Sequence, residues 1–514
     1  MTPPAYHPSL VALHSRLLVQ VVALAACAGV PARAQESERG SRFMESGHWA
    51  YEYLARLRTR GYLGDLDPLL RPHRRTDVVR ALSALDPDTL PRPAADWVRL
   101  LRSEFGGEEQ AFGAVVMAGS RAANTDRLDP LRPTGEGGVW PQGTAGGWFE
   151  GGHVAAESRV LGDLYLDHDP DLRALQRPLG GLAEHSYLSL SVAFAGVTLG
   201  RVARNWGPAG SWGLLISDGP LAYPQLGFEG RFGHLGLQAF TAELDTLEGS
   251  RRYLAAQRLS YTTPHLAIAL ANAVLYSGPD VAPSLQLLNP VALLAFEREN
   301  PPGDDRAQNY MLSVQAWYQR GGLVLHGEAL LDDVDVHPIP GYSRAPTRYG
   351  FTAGARLSSL APWVELAAEY GQVSSFAYRA YGAGDRYDYL GRGLGESFAD
   401  YERWSVTADL FPPVAGLTLT PAFVALRQGE GDFRIPMPSD SVFRSSPNLL
   451  LGTAERTYRV GLRGRYQPAR HLWFAWDVGH NVVRDAGHVP DGRRSDFVAL
   501  GEAGLRFDVG ARRR

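Results

Sequence analysis

Residues 310–318 read YMLSVQAWY, and in an extended chain Tyr310, Leu312, Val314, Ala316 and Tyr318 share one face while Ser313 and Gln315 share the other. A period of two, not 3.6, is therefore written into this stretch. It recurs at 403–410, RWSVTADL, where Trp404, Val406, Ala408 and Leu410 alternate with Arg403, Ser405, Thr407 and Asp409. It recurs again at 458–466, YRVGLRGRY, where Tyr458, Val460, Leu462, Gly464 and Tyr466 alternate with Arg459, Arg463 and Arg465.

A soluble sandwich also alternates. Two details select a membrane barrel instead. Aromatic residues stand at the ends of the apolar faces, as Tyr310 and Tyr318 or Tyr458 and Tyr466 do, which suits girdles at two lipid interfaces. Those faces also stay free of charge over about nine to eleven residues, the length a tilted strand needs to cross. At about 20 to 24 residues per strand and connection, 111–514 holds about 16 to 18 strands. Short links such as YQRGGL, 318–323, alternate with long ones such as 373–401, the asymmetry of periplasmic turns and extracellular loops. The last strand, FVALGEAGLRFDV (497–509), keeps Phe497, Ala499, Ala503, Leu505, Phe507 and Val509 on one face and is expected to close on the first.

The opposite faces would line the lumen with Arg356, Arg403, Arg459, Arg463, Arg465 and Arg506 beside Glu328, Glu365, Glu369, Asp409, Asp477, Glu502 and Asp508. Mixed signs predict ion-pair networks that narrow the barrel, or ordinary polarity beside an open channel; a single-sign ring would predict an ion-selective pore.

Upstream, the period is helical. In 46–63, SGHWAYEYLARLRTRGYL, Trp49, Tyr53, Leu54 and Leu57 form one stripe, with Gly61 as a stop. A second helix is expected in 74–85 after a Thr76 or Asp77 cap, and a third in 93–105 with Trp97, Leu100, Leu101 and Phe105 inward. The arrangement loosely resembles an S-layer-homology module, or is simply a small helical cap.

The first residues set the compartment. Arg16 precedes LLVQVVALAACAGV, and ARA precedes Gln35, the order of a secretory leader covering 1–34. LAAC, Leu24 to Cys27, offers a lipoprotein cleavage box as the rival. Cys27 is the only cysteine, so cleavage after Ala34 removes any disulfide or thiolate chemistry. Cleavage also removes Arg16 and Arg33 and no acids, leaving 49 basic against 55 acidic residues and a net charge of −6. That argues against nucleic acid as a partner. Every basic residue is arginine and none is lysine, so the chain is rich in planar forks that match carboxylates.

Catalytic patterns are missing: there is no GxSxG, no Walker loop and no HExxH. His326 and Ser313 lie on neighbouring expected strands with nothing to mark either as activated. GRGLG, 391–395, lacks a strand-then-helix setting for phosphate. DHDPD, 167–171, reads as a polar loop tip with no further ligand fixed by its spacing, so no metal, cofactor or catalytic residue is expected. The loop 373–401 offers Tyr378, Tyr381, Tyr387 and Tyr389 among Arg379, Arg386 and Arg392. Aromatic faces can lie against sugar rings and arginine forks can hold uronate carboxylates, although tyrosine and glycine are also common loop formers.

One more segment carries a resemblance. GRVARNWGPAGSWGLLISDGPLAYPQLGFEG, 200–230, resembles the characteristic stretch of the Wzi-type capsule assembly proteins: Arg204, Trp206, Gly207 and Pro208 match, as do Leu215, Ser217, Pro220 and Pro224. Asn205 stands where tryptophan is common and Ala209 where glycine is. LNPVALLAFERENP, 288–301, is similar to the family's second recurring segment. The resemblance implies an outer-membrane antiparallel β-barrel of about 18 strands with a periplasmic helical module. It implies a non-catalytic protein that holds or organises capsular polysaccharide at the cell surface. The chain is thus expected to comprise a leader (1–34), a helical periplasmic module (35–110) and a barrel (111–514). It is expected to act as a monomer in outer-membrane lipid, to bind acidic polysaccharide and to meet other capsule-export components. A porin or polysaccharide export channel is the alternative, and an outer-membrane hydrolase the third. Arg204, Trp206, Gly207, Pro208, Ser217, Pro220 and Pro224 are expected to be structural, with Gly207 and Pro208 setting a bend and Trp206 and Trp212 anchoring at a membrane interface or in the lumen.

Overall fold

The computed structural model describes residues 40–106, 110–173, 181–192, 194–208, 213–292, 294–297, 300, 306–333 and 347–512. The expected leader with Cys27, and Trp212, lie outside these residues. From Gln110 the period-two segments pair into one closed barrel of 18 antiparallel strands. Each strand bonds to its neighbours in the chain, and the last, Arg493–Arg512, returns to the first, Gln110–Ala123, with Val115 opposite Asp508 and Gly119 opposite Gly504. Closure pairs the two edge strands along a ladder from Phe112–Ala511 to Ala123–Leu500, leaving no open sheet edge, as a lipid setting requires. Short and long connections alternate around the barrel, so one end carries tight turns such as 320–323 and the other carries excursions such as 373–401. Among the described residues no helix is long and apolar enough to cross a membrane.

The two faces of the wall differ as the alternation predicts. Val314 is 47% exposed, whereas Ser313 and Gln315 on either side of it are completely buried. Trp404, Val406, Val460, Phe497 and Val509 likewise stand on the outside. Inward residues of an open channel would be wet. The burial of Ser313, Gln315, Arg258, Glu328 and Glu365 therefore means that protein packs against them. Arg463 remains exposed, so water reaches that part of the inner wall.

Much of the packing comes from three helices in the short-turn mouth. These are α1 (Ala50–Thr59), α2 (Arg75–Ser83) and α3 (Ala94–Phe105). Their apolar stripes meet in one core containing Trp49, Tyr53, Leu57, Val78, Trp97 and Leu101. Helix α2 begins one residue before the expected Thr76 or Asp77 cap. The Thr76 N–H is satisfied from outside the helix by Ser41 Oγ at 3.1 Å, so no cap from its own sequence is needed. The core does not stop at the helices: Phe411, from the barrel, meets Trp97 edge-on at 4.8 Å.

Charge fixes the plug to the wall. Arg60 pairs with Glu365 at 2.7 Å, Arg258 with Asp67 at 2.9 Å, Arg465 with Glu52 at 3.0 Å and Arg159 with Glu45 at 2.5 Å. Arg58 donates to the carbonyls of Thr263 and Pro264 in a short turn, at 2.9 and 2.6 Å. Removing one partner from the buried pairs Arg60–Glu365 or Arg258–Asp67 costs about 3–5 kcal/mol, because the other charge is left stranded in low dielectric, whereas the exposed Arg465–Glu52 pair contributes little. Part of the expected mixture of inward charges is therefore spent on ion pairs, both to the plug and within the wall, as in Arg459 with Asp477.

Acid should loosen this plug first. Burial pushes the imidazole of His73 down to about 4 from 6.5. Burial alone would raise Glu104, but the hydrogen bond and charge of His48, with Arg75 and Arg506, outweigh it and hold the carboxyl at about 2 against an ordinary 4.5. Both groups are depressed in the fold, so their stabilisation is complete above the ordinary values and lost as pH falls. The His73 part fades between 6.5 and about 4, and the Glu104 part between 4.5 and about 2. Hydrogen exchange corrected for intrinsic rate should show protection of 40–106 falling between pH 7 and pH 4 while the barrel strands keep theirs; equal loss in both would contradict the assignment.

Trp97→Ala should destabilise the plug by about 3–5 kcal/mol, since it empties the centre of its core. The check is faster proteolysis within 40–106 with the barrel's heat-modifiable gel mobility retained.

Candidate functional site

Strand Ala195–Arg201 ends at the long-loop end, and the chain then turns into the lumen. Asn205 and Trp206 pair antiparallel with Arg71 and Leu70 of the helical plug. Gly207 N–H donates to the Leu69 carbonyl at 3.1 Å, Trp206 N–H to the Ile216 carbonyl at 2.9 Å, and Gln315 Nε2 to the Trp206 carbonyl at 2.7 Å. The Trp206 ring has no exposed surface and meets Phe240 edge-on at 5.4 Å. Trp206 therefore lies in the lumen and not at a lipid interface. Arg204 is buried beside it, donating from Nε to Gln225 at 2.6 Å. Gly207, Pro208, Ser217 and Pro220 are buried too, and Pro224 opens the next strand, Pro224–Phe232.

The loop 373–401 folds down onto this segment. Ser217 donates from its backbone to Leu394 at 2.7 Å and from its hydroxyl to Gly395 at 2.6 Å. A side chain at Gly395 would put its Cβ 1.9 Å from the Leu214 carbonyl oxygen, so this glycine of GRGLG serves close backbone approach. Tyr378 and Tyr387 stack at 6.0 Å and donate their hydroxyls to the carbonyls of Leu214 and Leu215, at 2.6 and 2.9 Å. Burial pushes both phenols well above their ordinary value. From the wall, Glu328 accepts from Leu214 N–H at 2.9 Å and from Ser313 Oγ at 2.7 Å. Asp400, fully buried, accepts from Ser375 Oγ, Gly431 N–H, Leu450 N–H and Leu451 N–H, tying three loop stretches to one carboxylate.

This geometry redistributes the candidate sugar contacts. Tyr378 and Tyr387 are core residues and Tyr389 is 8% exposed, so a polymer at the surface does not reach their faces. Tyr381, at 69%, is the tyrosine of the set that stands out from the rim. The arginines have internal partners: Arg379 donates to the carbonyls of Ile435 and Pro436, each at 2.9 Å, Arg386 pairs with Asp388 at 3.0 Å, and Arg392 holds Asp169 and the Gly219 carbonyl. Arg379 is buried, whereas Arg386 and Arg392 are partly exposed.

Arginines from other loops complete the rim. Arg127 and Arg434 share Asp171, and Arg173, Arg252 and Arg386 share Asp388, with Asp245 serving Arg173 and Arg252 as well. Single-loop reading misses Arg127, Arg173 and Arg434, because each lies far away in sequence. Two aspartates of DHDPD are held by arginines, Asp169 by Arg392 and Asp171 by Arg127 and Arg434, and among the described residues no group of His, Cys, Asp and Glu could hold a metal ion. Ser313 bonds to Glu328 and not to His326, which faces Trp317 across the ladder, so the two do not form a nucleophile and base.

The second recurring segment sits elsewhere. Leu287 and Leu294 pack on Tyr253 and Tyr276, and the Asn289 carbonyl accepts from Gln257 at 2.9 Å. Gln257 alternates with the lumen-facing Arg258, so this loop lies on the outer wall and satisfies a polar side chain that points away from the lumen.

Among solved structures, the chain is similar to Wzi of Escherichia coli, described as an outer-membrane protein involved in group 1 capsule assembly and a carbohydrate-binding β-barrel. The TM-score is 0.65 at 12% identity, covering 92% of this chain and 100% of that one. The likeness is one of fold. OccD3 of Pseudomonas aeruginosa gives a TM-score of 0.46 at 10% identity over 78% of this chain and 93% of its own. A BenF-like porin of Pseudomonas fluorescens gives 0.45 at 11% identity, over 78% and 99%. No protein-family model matches the chain, and no curated protein matches it.

Asp400→Asn tests the loop tie. Asparagine tolerates the left-handed backbone at this position, φ +59°, but turns one acceptor oxygen into a donor nitrogen facing N–H groups. A loss of about 1–3 kcal/mol is expected. It should appear as faster protease cleavage in 373–453 while the barrel keeps its heat-modifiable mobility.

Proposed function

We propose that this chain is a non-catalytic outer-membrane anchor that binds acidic surface polysaccharide at its long-loop end. In this reading the leader 1–34 directs export, the helices face the periplasm and the long loops face outward, as their lengths suggest. The observation that carries the reading is the inward-folded loop plug: it supplies a rigid floor, and the rim above it holds partly exposed arginines. Side chains of Arg127, Arg173 and Arg434 keep 20%, 31% and 30% of their surface. Three aspartates, Asp171, Asp245 and Asp388, serve five arginines, and Asp432 reaches only 3.8 Å from Arg434. Shared acceptors leave partly exposed guanidinium surface on Arg127, Arg173 and Arg434 for the carboxylates of a polymer.

Tyr381, Arg386 and Arg392 of the candidate loop then make contact together with Arg127, Arg173 and Arg434, while Tyr378, Arg379, Tyr387 and Tyr389 hold the loop in shape. Each contact is weak, and repetition along a polymer gives retention. The fold likeness to a carbohydrate-binding barrel supports the same reading. The chain acts as a monomer, with lipid around its apolar belt and its short-turn end turned toward other capsule-export components.

The test is binding of the full chain, in amphipol, to the producing cell's own capsular polysaccharide and to a carboxyl-reduced sample of it. A Tyr381→Ala, Arg434→Gln double variant should bind about tenfold more weakly or worse, and carboxyl reduction should weaken binding by the unmodified protein to a similar degree. Equal binding by the variant would remove the rim from the site. No binding by the unmodified chain would overturn the anchor reading.

A further inference from the structure

The rim carries an apolar strip that its arginines do not explain. Ile435 is 51% exposed and Val442 52%, Pro436 is exposed between them, and Tyr381 stands out at 69%. The strip is held in place from below. Arg379 donates from Nε and Nη2 to the Ile435 and Pro436 carbonyls, each at 2.9 Å. Met437 N–H donates to the Ala380 carbonyl at 2.9 Å, which sets the strip against the residue preceding Tyr381. Next to Val442, the buried Phe443 meets Phe376 edge-on at 4.9 Å.

Lipid does not account for this exposure. Arg434, which precedes Ile435, donates to the Gly391 carbonyl at 3.3 Å and pairs with Asp171 at 3.3 Å, and Arg386 donates to the Arg434 carbonyl at 3.4 Å. Asp171 follows the strand Val154–Asp163, which is no neighbour in the wall of the strands flanking the strip, Leu417–Gln428 and Glu455–Ala469. The strip therefore reaches inward over the loop plug, away from the outward lipid face. An apolar patch exposed in such a place marks a contact surface.

Its composition restricts the contact. Isoleucine, proline and valine have no π face to lay along a sugar ring, and they gain from apolar area removed from water. A uronate ring carries hydroxyls around its edge, and pressing those onto the strip would cost their hydrogen bonds to water without return. Beside the strip, Arg434 keeps 30% of its side-chain surface and offers a guanidinium to a carboxylate. We infer that the strip and Arg434 form one subsite for an acid substituent that carries its own methyl group, such as a pyruvate ketal on a sugar ring. The methyl lies on Ile435 and Pro436 and the carboxylate at Arg434. This rests on the reading of the rim as a polysaccharide site and narrows the acid that the rim selects.

Two glycosides that differ by one methyl group test it: methyl 4,6-O-(1-carboxyethylidene)-α-D-galactopyranoside, the ketal, and methyl 4,6-O-(carboxymethylidene)-α-D-galactopyranoside, the acetal without the methyl. Each is titrated against the full chain in amphipol and followed by ligand-observed NMR. The ketal should bind about fourfold tighter than the acetal, the worth of one buried methyl. Ile435→Ser should erase that ratio, and Arg434→Gln should weaken both ligands. Ile435 is exposed, so the serine is expected to leave the fold intact, and heat-modifiable mobility checks each barrel. Equal binding of the two glycosides, or a ratio that persists in Ile435→Ser, would overturn the methyl subsite and leave the acidic-polysaccharide reading standing. Binding of neither by a chain that holds the capsular polysaccharide would overturn the subsite as well; if the polysaccharide is not held either, the anchor reading falls with it.

Discussion

The structure depends on a two-residue ladder inside the lumen, Leu70 and Arg71 against Trp206 and Asn205. Each side of that ladder comes from a different end of the barrel. The helical plug brings up Leu70 and Arg71 from the short-turn mouth, and the turn after strand Ala195–Arg201 brings down Asn205 and Trp206 from the long-loop mouth. Backbone groups that would be unpaired in the interior satisfy each other there, and Gln315 from the wall takes up the Trp206 carbonyl. With that contact made, the loop 373–401 has a surface to pack on, and its tyrosines become pillars.

The inward charges follow from the same constraint. A barrel wall must place polar side chains toward its lumen because the outward positions face lipid. Once the lumen is filled with protein, those side chains lose water and need partners. Arginine supplies them well, since one fork can serve a carboxylate and a carbonyl together, as Arg252 does with Asp388 and the Gly384 carbonyl. Ion pairs of this kind hold the plug in register more than they add to net stability, because desolvation offsets much of their attraction.

Most of the architecture was legible in the sequence because a strand reports its faces at every second residue. Val314 and Ser313, or Val460 and Arg459, declare outside and inside without knowledge of any partner. Closure by 497–509 and the three helical stripes were legible for the same local reason. The fate of the loops was not. Tyr378, Tyr387 and Arg379 look like exposed contacts when 373–401 is read alone, and only the burial of residues such as Trp206, Leu214 and Leu215 in the lumen encloses the two tyrosines. The irregular, aromatic composition of 204–225 was the available signal: Trp206, Gly207 and Pro208 suit a chain that must pack tightly without regular structure. Gln257 was hidden for the opposite reason, since it breaks the outward apolar rule at a place where another loop covers the wall.

If plug, ladder and folded loop fill the barrel as a continuous column, ions have no wide path through it. Single-channel recording of the unmodified full chain in planar bilayers measures this directly. The closed column predicts no steady conductance above the bilayer baseline under moderate voltage. Large, stable openings of the size expected for an unobstructed barrel of 18 strands would contradict it.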